Sequence, residues 1–261
     1  MTEPRIQYAQ TEDGVSIAYW TFEASGDCVV LLPPGGRSAR DYDALGQALA
    51  HAGFRAAAVD PRGVGESTGQ LEGLTLHDLA ADIAGVIEAL DCGQVHVVGH
   101  AFGNRVARCL AADRPELVRT VALLAAGGLV QPEPDVLAAM ARCLRLDLSE
   151  EERLAAIRFA LFAPSSDPTA WREGWWPGAA AAQATATRAT PLEDWWEAGE
   201  APLLVVQGLQ DRVAPPENGY ALRDKLGERV RVVDLPDAGH ALLPEQPEAI
   251  AEAIIAFLRQ H

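Results

Sequence analysis

The stretch at residues 95–104 constrains the fold of this chain more than any other, because it joins an apolar strand pattern to a helix pattern through a turn bracketed by glycines. The turn, residues 99–103, reads G-H-A-F-G, which is the form G-x-S-x-G with alanine in the place of serine. In the serine version the turn is so tight that its central residue is strained and projects its side chain above the sheet. The sequence therefore predicts a strand, a sharp turn and a helix, with the methyl group of Ala101 exposed at the turn.

Strand and helix patterns alternate on both sides of this turn. Helical spacing of apolar side chains is clear at residues 41–52 and 76–90. Residues 15–21 alternate apolar and polar side chains, which predicts an antiparallel edge strand, the second of an opening hairpin with its turn at Glu12-Asp13-Gly14. The alternation predicts an α/β protein with a mostly parallel, eight-stranded sheet flanked by helices. Further apolar runs typical of buried strands lie at residues 28–32, 54–59, 120–125, 203–208 and 230–235.

The pattern changes at residues 131–199, where helical segments follow one another without an intervening strand. We predict that these residues form a helical lid on a core made of residues 1–130 and 200–261. Packing of the lid explains any one of its tryptophans, but their clustering favours a lid that shapes a pocket. Five of the six tryptophans fall in this region, namely Trp171, Trp175, Trp176, Trp195 and Trp196. The candidate pocket residues are His100, Trp171, Trp175 and Trp176.

Composition limits the classes of partner. A formal net charge of −16 makes nucleic acid and anionic membrane surfaces poor partners, because both require clustered lysine and arginine. It favours a small-molecule substrate that is uncharged or weakly charged. The first residues lack an apolar signal segment, and no apolar run approaches the length of a membrane span. Four cysteines without C-x-x-C pairing are interpreted as buried free thiols of a reducing compartment, which predicts a cytoplasmic protein; they are Cys28, Cys92, Cys109 and Cys143.

Two later segments complete a constellation with the turn. Asp211 follows the apolar run at residues 203–208, at the end of a parallel strand where ligands bind. His240 ends the loop at residues 236–240. The chain order of turn, acid and histidine is that of the α/β-hydrolase triad, and on these motifs the whole chain resembles the α/β-hydrolase family. Asp211 alone also fits a helix cap, and His240 alone a surface histidine, but their joint order favours a site.

The resemblance implies a role for each matching position. His240 is the expected general base, Asp211 holds its tautomer, and Ala101 occupies the nucleophile position. The backbone N–H groups of Gly35 and Phe102 are the expected oxyanion hole. The glycine turn at residues 35–36 by itself indicates only an ordinary strand-to-helix connection. The resemblance implies an enzyme without a cofactor, and no metal site is expected because the remaining histidines, His51, His77, His96 and His261, lack metal-ligand spacing.

Ala101 leaves several functions open, because a methyl group cannot attack a carbonyl. One explanation is a serine-to-alanine variant of a serine esterase or related acyl hydrolase. A second is a natural serine-less enzyme, which would resemble the aminoacrylate hydrolases of pyrimidine degradation. In the second case the His240–Asp211 pair activates water, or abstracts a substrate proton as in cofactor-free dioxygenases and lyases. A third explanation is a non-catalytic binding protein similar to the plant hormone receptors of this fold. We expect a hydrolase acting on a small, largely apolar acyl compound that is ester-like, a carbamate or a lactone.

Overall fold

The strand patterns form one eight-stranded sheet in the computed structural model, which describes residues 3–11 and 14–261. The spatial order of the strands is β1-β2-β4-β3-β5-β6-β7-β8. Strands β1 and β2 pair antiparallel, as do β2 and β4, and all other neighbours are parallel. The predicted α/β fold with a mostly parallel sheet is confirmed. The strands are β1 (Arg5–Gln10), β2 (Ser16–Phe22), β3 (Cys28–Leu32), β4 (Arg55–Val59), β5 (Val95–His100), β6 (Val118–Leu124), β7 (Leu203–Gly208) and β8 (Val230–Leu235).

Helices connect and flank these strands. A capping box begins the helix at Glu150–Leu161, because the Ser149 Oγ accepts the Glu152 N–H at 3.3 Å while Glu152 accepts the Ser149 N–H at 3.0 Å. The helices are α1 (Asp43–His51), α2 (Leu76–Leu90), α3 (Phe102–Asp113), α4 (Pro134–Cys143), α5 (Glu150–Leu161), α6 (Pro177–Ala189), α7 (Glu217–Leu226) and α8 (Pro247–Leu258). Short 3-10 helices lie at Ala39–Tyr42, Pro168–Trp171, Leu192–Asp194 and Gly227–Arg229. Within the described ranges, no helix has the length and apolar character needed to cross a bilayer.

The sheet is buried on both faces, as its apolar strands predict. Alternate residues of β3 belong to two different core layers, with Val30 and Leu32 beside α2 and α3, and Val29 and Leu31 beside α1 and α8. A third cluster packs α4 against α5 and includes Ala241, the neighbour of His240. Strand β5 therefore runs through the middle of a rigid sandwich, and its carboxyl end supports the turn at residues 99–103.

The prediction of an edge strand at residues 15–21 is wrong. The hairpin itself is confirmed, since Gln10 pairs with Ser16 and Arg5 with Thr21, but β2 also pairs with β4. Strand β2 is thus internal and β1 is the edge, because the alternating pattern reports which face a side chain occupies and not whether a further strand follows. Glu12 and Asp13 of the predicted turn lie outside the described residues.

The prediction of four free cysteines is also wrong, because Cys28 and Cys92 form a disulfide. Cys28 begins β3 and Cys92 precedes β5, and the two strands are parallel neighbours, so residues 64 apart in sequence meet at one end of the sheet. Cys109 and Cys143 are buried free thiols as predicted. Since disulfides are typical of oxidising compartments, the cysteines no longer support a reducing one, and cytoplasmic location stays a prediction.

Candidate active site

The turn between β5 and α3 has the strained geometry that its sequence predicts. Ala101 has φ 49° and ψ −106°, a conformation that residues with a Cβ rarely adopt. A Cβ on Gly99 would lie 2.5 Å from backbone atoms of Asn104, and a Cβ on Gly103 would lie 2.2 Å from the Leu32 carbonyl oxygen. Both positions therefore require glycine, and the turn is complete although its central residue is alanine.

His240 and Asp211, predicted as a pair, are in contact. The Nδ1 atom of His240 lies 2.9 Å from Oδ2 and 3.1 Å from Oδ1 of Asp211, and both side chains are buried. The Oδ1 atom also accepts the N–H groups of Val213 and Ala214, each at 2.8 Å. These backbone donors fix the carboxylate, which in turn selects the imidazole tautomer with hydrogen on Nδ1. The Nε2 atom of His240 then carries the lone pair that a general base needs.

His100 holds the same loop from the sheet side. Its Nε2 atom donates to the carbonyl oxygen of His240 at 2.7 Å. Burial, together with the nearby charge of His240, lowers the pKa of His100 to about 3, so the ring is neutral. Its Nδ1 atom has no hydrogen-bond partner among the described residues. His100 is not among the residues that line the cavity described next, because it lies beneath the His240 loop.

A cavity of about 640 Å³ opens at the carboxyl ends of the strands. Ala101, Phe102 and His240 line it on the sheet side, and Trp171, Trp175 and side chains of α4 and α6 line it on the other. Trp176 does not line it; its backbone N–H instead donates to the Gly36 carbonyl at 2.9 Å, and its ring is only partly buried. The volume falls in the range of small-molecule sites.

The two predicted oxyanion donors lie beside each other on this cavity. A Cβ on Gly35 would lie 3.5 Å from the Cβ of Phe102, and both residues line the cavity together with Ala101. Phe102 is the first residue of α3, so its N–H has no acceptor within the helix. The neighbouring Gly36 N–H donates to Oε1 of Gln183 at 2.8 Å, which ties this loop to α6.

Glu245 is a structural residue of the site that the sequence did not single out. Its carboxylate accepts the N–H groups of Ala163 at 2.8 Å, Gly239 at 3.0 Å and Leu242 at 2.9 Å. It thereby fastens the loop that carries His240 to the end of α5. A glutamate in a proline-rich loop has no distinguishing sequence pattern, and only the folded backbone brings the three donors together.

The charge of the cavity also differs from what the composition predicts. Its lining contains Arg37, Arg105 and Arg188, and no aspartate or glutamate of the described chain is part of it. The protein as a whole carries 37 acidic and 21 basic residues, so the cavity departs from the surface in sign. Average composition therefore misrepresents the local environment of a ligand.

A second polar cluster, His77, Cys109 and Asp113, lies between α2 and α3, and its donor atoms are within 4.8 Å of one another. Sequence spacing missed it because the residues come from two helices. The His77 Nδ1 already contacts Asp113 at 2.8 Å, and the ring is partly exposed. Burial raises the pKa of the Cys109 thiol, which disfavours the thiolate that binds metals. The contacts are accounted for by an ion pair between two helices.

Comparison with known proteins agrees with this geometry. A model described as the alpha/beta hydrolase family matches residues 29–253. The chain is 29% identical to a putative non-heme bromoperoxidase, BpoC, of Mycobacterium tuberculosis, over 93% of this chain and 97% of that protein. It is also 29% identical to a putative carbamate hydrolase, RutD, of Variovorax paradoxus, over 90% and 92%. The crystal structure of a hydrolase from Pseudomonas aeruginosa is similar with a TM-score of 0.80 and 26% identity, covering 97% of this chain and 98% of the other.

Proposed function

Because the chain belongs to the α/β-hydrolase family, we propose that it hydrolyses a small acyl compound in the cavity by means of water activated by His240. The observation that carries the proposal is the buried contact of 2.9 Å between His240 Nδ1 and Asp211, beside Ala101 on one cavity wall. An oriented histidine needs no serine to act as a base, and it acts on water as it would on a hydroxyl group.

In the proposed reaction a water oxygen attacks the substrate carbonyl carbon while one water proton passes to Nε2 of His240. The N–H groups of Gly35 and Phe102 stabilise the negative charge that develops on the carbonyl oxygen. When the tetrahedral intermediate collapses, the bond to the leaving group breaks and the leaving group takes the proton from His240. Asp211 stabilises the imidazolium between the two steps, and Ala101 contributes no covalent bond.

The size of Ala101 supports attack by water. Its side chain is one oxygen atom smaller than that of serine, and in this proposal the oxygen of the attacking water takes the place of that missing atom. The candidate substrates are ester-like compounds, carbamates and lactones, and one relative is described as a putative carbamate hydrolase. In this proposal residues 131–199 form the lid over a core of residues 1–130 and 200–261, with Trp171 and Trp175 at the roof of the site.

Proton abstraction is the second candidate function. It is favoured by the same pair of facts, an oriented His240–Asp211 pair and an Ala101 that offers no nucleophile. A purely binding protein is disfavoured, because it has no use for an oriented base fixed by two further backbone donors.

The test compares the native chain with Ala101→Ser and His240→Ala on a panel of activated esters, carbamates and lactones, with a fluorophosphonate probe for reactive serine. His51→Ala is the matched control, since His51 is exposed and its Nδ1 bonds to the Gln47 carbonyl of its own helix at 2.8 Å. We expect hydrolysis by the native chain without labelling, loss of that hydrolysis in His240→Ala, and no change in His51→Ala.

Two outcomes contradict the proposal. A native chain that hydrolyses nothing, with labelling and strong hydrolysis only in Ala101→Ser, is a serine hydrolase that lacks one atom. A native chain that exchanges C–H hydrogens of the panel compounds for deuterium through His240, without hydrolysis, is a proton-abstracting enzyme.

A further inference from the structure

The floor of the cavity carries a positive charge that no described residue neutralises. Arg105 lies on the first turn of α3 and lines the cavity. It forms no hydrogen bond or ion pair with a described residue. Its guanidinium carbon makes a cation–π contact with Trp195, 5.7 Å from the ring centre. Burial lowers the pKa of Arg105 from its ordinary value, as expected of a cation with no anion beside it.

Arg108, one turn further along α3, adds to this charge. It is fully buried, and its guanidinium donates only to neutral acceptors, including Oδ1 of Asn104 and the carbonyl of Gly127, each at 2.7 Å. Burial, and next the charge of Arg105, lower its pKa well below the ordinary value. A buried cation without a carboxylate is costly, and a second cation nearby increases that cost. An anion bound at Arg105 relieves both.

The other two arginines of the cavity are already engaged. Arg37 forms an ion pair with Asp41 at 2.6 Å, and its guanidinium carbon lies 4.9 Å from the ring centres of both Trp171 and Trp175. Arg188 is exposed and donates to the Thr185 hydroxyl at 3.0 Å. Of the three, Arg105 alone lacks a polar partner within the part of the chain that the structure describes. Its charge acts on a cavity whose described lining has no carboxylate.

We propose that the substrate carries a carboxylate, which Arg105 binds while the reacting carbonyl lies between Ala101 and His240. This inference rests on the proposed function and names its substrate class, a small anionic acyl compound in place of the uncharged or weakly charged one predicted from composition. A guanidinium binds a carboxylate through two parallel N–H···O bonds, which fix both distance and orientation.

The spacing of Ala101 and Arg105 also limits the length of the proposed substrate. Ala101 immediately precedes α3 and Arg105 is the fourth residue of that helix, so the backbone rises about 4.5 Å along the helix axis from Phe102 to Arg105. A carboxylate on Arg105 therefore lies a few bonds from a carbonyl at Ala101. The guanidinium carbon of Arg105 lies 5.7 Å from the centre of the Trp195 ring, which also lines the cavity. In this proposal the acyl chain runs along the apolar surface between Arg105 and Ala101.

The test uses three pairs of stable probes, the monoamides of succinate, glutarate and adipate, each compared with its neutral diamide. The members of a pair differ only in a carboxylate replaced by an amide. Binding is measured by calorimetry and by tryptophan fluorescence. For at least one chain length we expect the anion to bind the native protein about tenfold more tightly or better, as a charge-assisted pair provides. In Arg105→Gln this preference falls below about threefold, and in Arg105→Lys it is intermediate.

Arg188→Gln is the matched control, because it removes an equal charge from the same cavity, and we expect it to keep the preference. Equal binding of anion and neutral probe to the native protein overturns the inference, whether or not any variant folds. A preference that survives in a folded Arg105→Gln, or that is lost in Arg188→Gln instead, overturns it as well.

The outcome is separable from that of the proposed function. Binding does not require a base, so His240→Ala keeps the anion preference. A protein that prefers anions and hydrolyses nothing contradicts the proposed hydrolysis alone, whereas hydrolysis without an anion preference contradicts the substrate class alone.

Discussion

The two sides of the cavity differ in how their polar groups are satisfied. On the base side, formed by the loops after β7 and β8, Asp211 accepts from His240 and two backbone N–H groups, and Glu245 accepts three more. On the floor, formed by the start of α3, Ala101 offers only a methyl group and Arg105 has no polar partner among the described residues. Fully bonded groups are held in one position, whereas an unbonded charge is available to a ligand. The comparison therefore distinguishes a base side whose polar groups are held in place from a floor whose charge lacks a polar partner among the described residues.

Removing the imidazole of His240, the proposed base, has the largest expected effect. If the proposed reaction holds, His240→Ala lowers kcat by about 10² to 10⁴, the usual contribution of a general base. Asp211→Asn has a comparable effect because the amide favours the wrong imidazole tautomer. Steady-state kinetics on the best panel substrate checks both, and KM stays within a few-fold of native. A drop in affinity with unchanged kcat would place His240 in binding rather than in catalysis.

A substitution at Gly103 disrupts the packing of α3, which forms the floor of the cavity. The Cβ of Gly103→Ala meets the Leu32 carbonyl oxygen at 2.2 Å, so α3 must move away from β3. We expect a loss of about 3 kcal/mol in the free energy of unfolding, measured with urea. Gly178→Ala is the matched control, since nothing lies within 4 Å of its Cβ on α6, and it should be neutral or stabilising. Equal stability of the two variants would contradict the close packing of the turn.

Low pH tests the base side through His100, whose ring bonds to the His240 carbonyl and whose pKa makes the stability of the fold depend on pH. Its pKa falls from 6.5 in the unfolded chain to about 3 in the folded protein, mainly because of burial. Below pH 6.5 the unfolded state therefore binds a proton that the folded state does not, and stability decreases as the pH falls toward about 3. The slope is about 1.4 kcal/mol per pH unit for one such group.

Urea unfolding between pH 7 and pH 4 measures that slope. His100→Gln keeps a donor for the His240 carbonyl and should flatten the dependence, whereas His51→Gln, at an exposed position, should not. An unchanged slope in His100→Gln would mean that other groups cause the acid sensitivity. His96, whose pKa burial lowers to about 4, is the next group to substitute.

Loosening the base side has the smallest expected effect. Glu245→Gln leaves one acceptor oxygen for the N–H groups of Ala163, Gly239 and Leu242, so at least one buried donor loses its partner. We expect a loss of about 2 kcal/mol in the free energy of unfolding and a lower kcat with little change in KM. Glu252→Gln on the exposed face of α8 is the control. Thermal unfolding and kinetics that match this control would show that Glu245 does not position His240.

Much of the fold follows from local pattern. The turn at residues 99–103 requires two glycines and a strained centre, which its sequence announces, and the apolar run at residues 28–32 is buried on both faces as expected. The pairing of Asp211 with His240 was implied by the resemblance to the α/β-hydrolase family. The disulfide between Cys28 and Cys92 was not, because pairing across 64 residues depends on which strands are neighbours. For the same reason, the sequence pattern did not predict that β1, and not β2, is the edge strand.

The sequence by itself determined the eight-stranded architecture, because this depends on side-chain periodicity. It also determined the strained turn, because this depends on Gly99 and Gly103 on either side of Ala101. Only the tertiary structure decided what surrounds them. Glu245 binds three backbone N–H groups that converge only after folding, and Arg105 lies in a cavity whose described lining contains arginines and no acidic residue. Charge acts through space over a few ångströms, so the environment of a ligand depends on which residues the fold brings together and not on how many of each kind the chain contains.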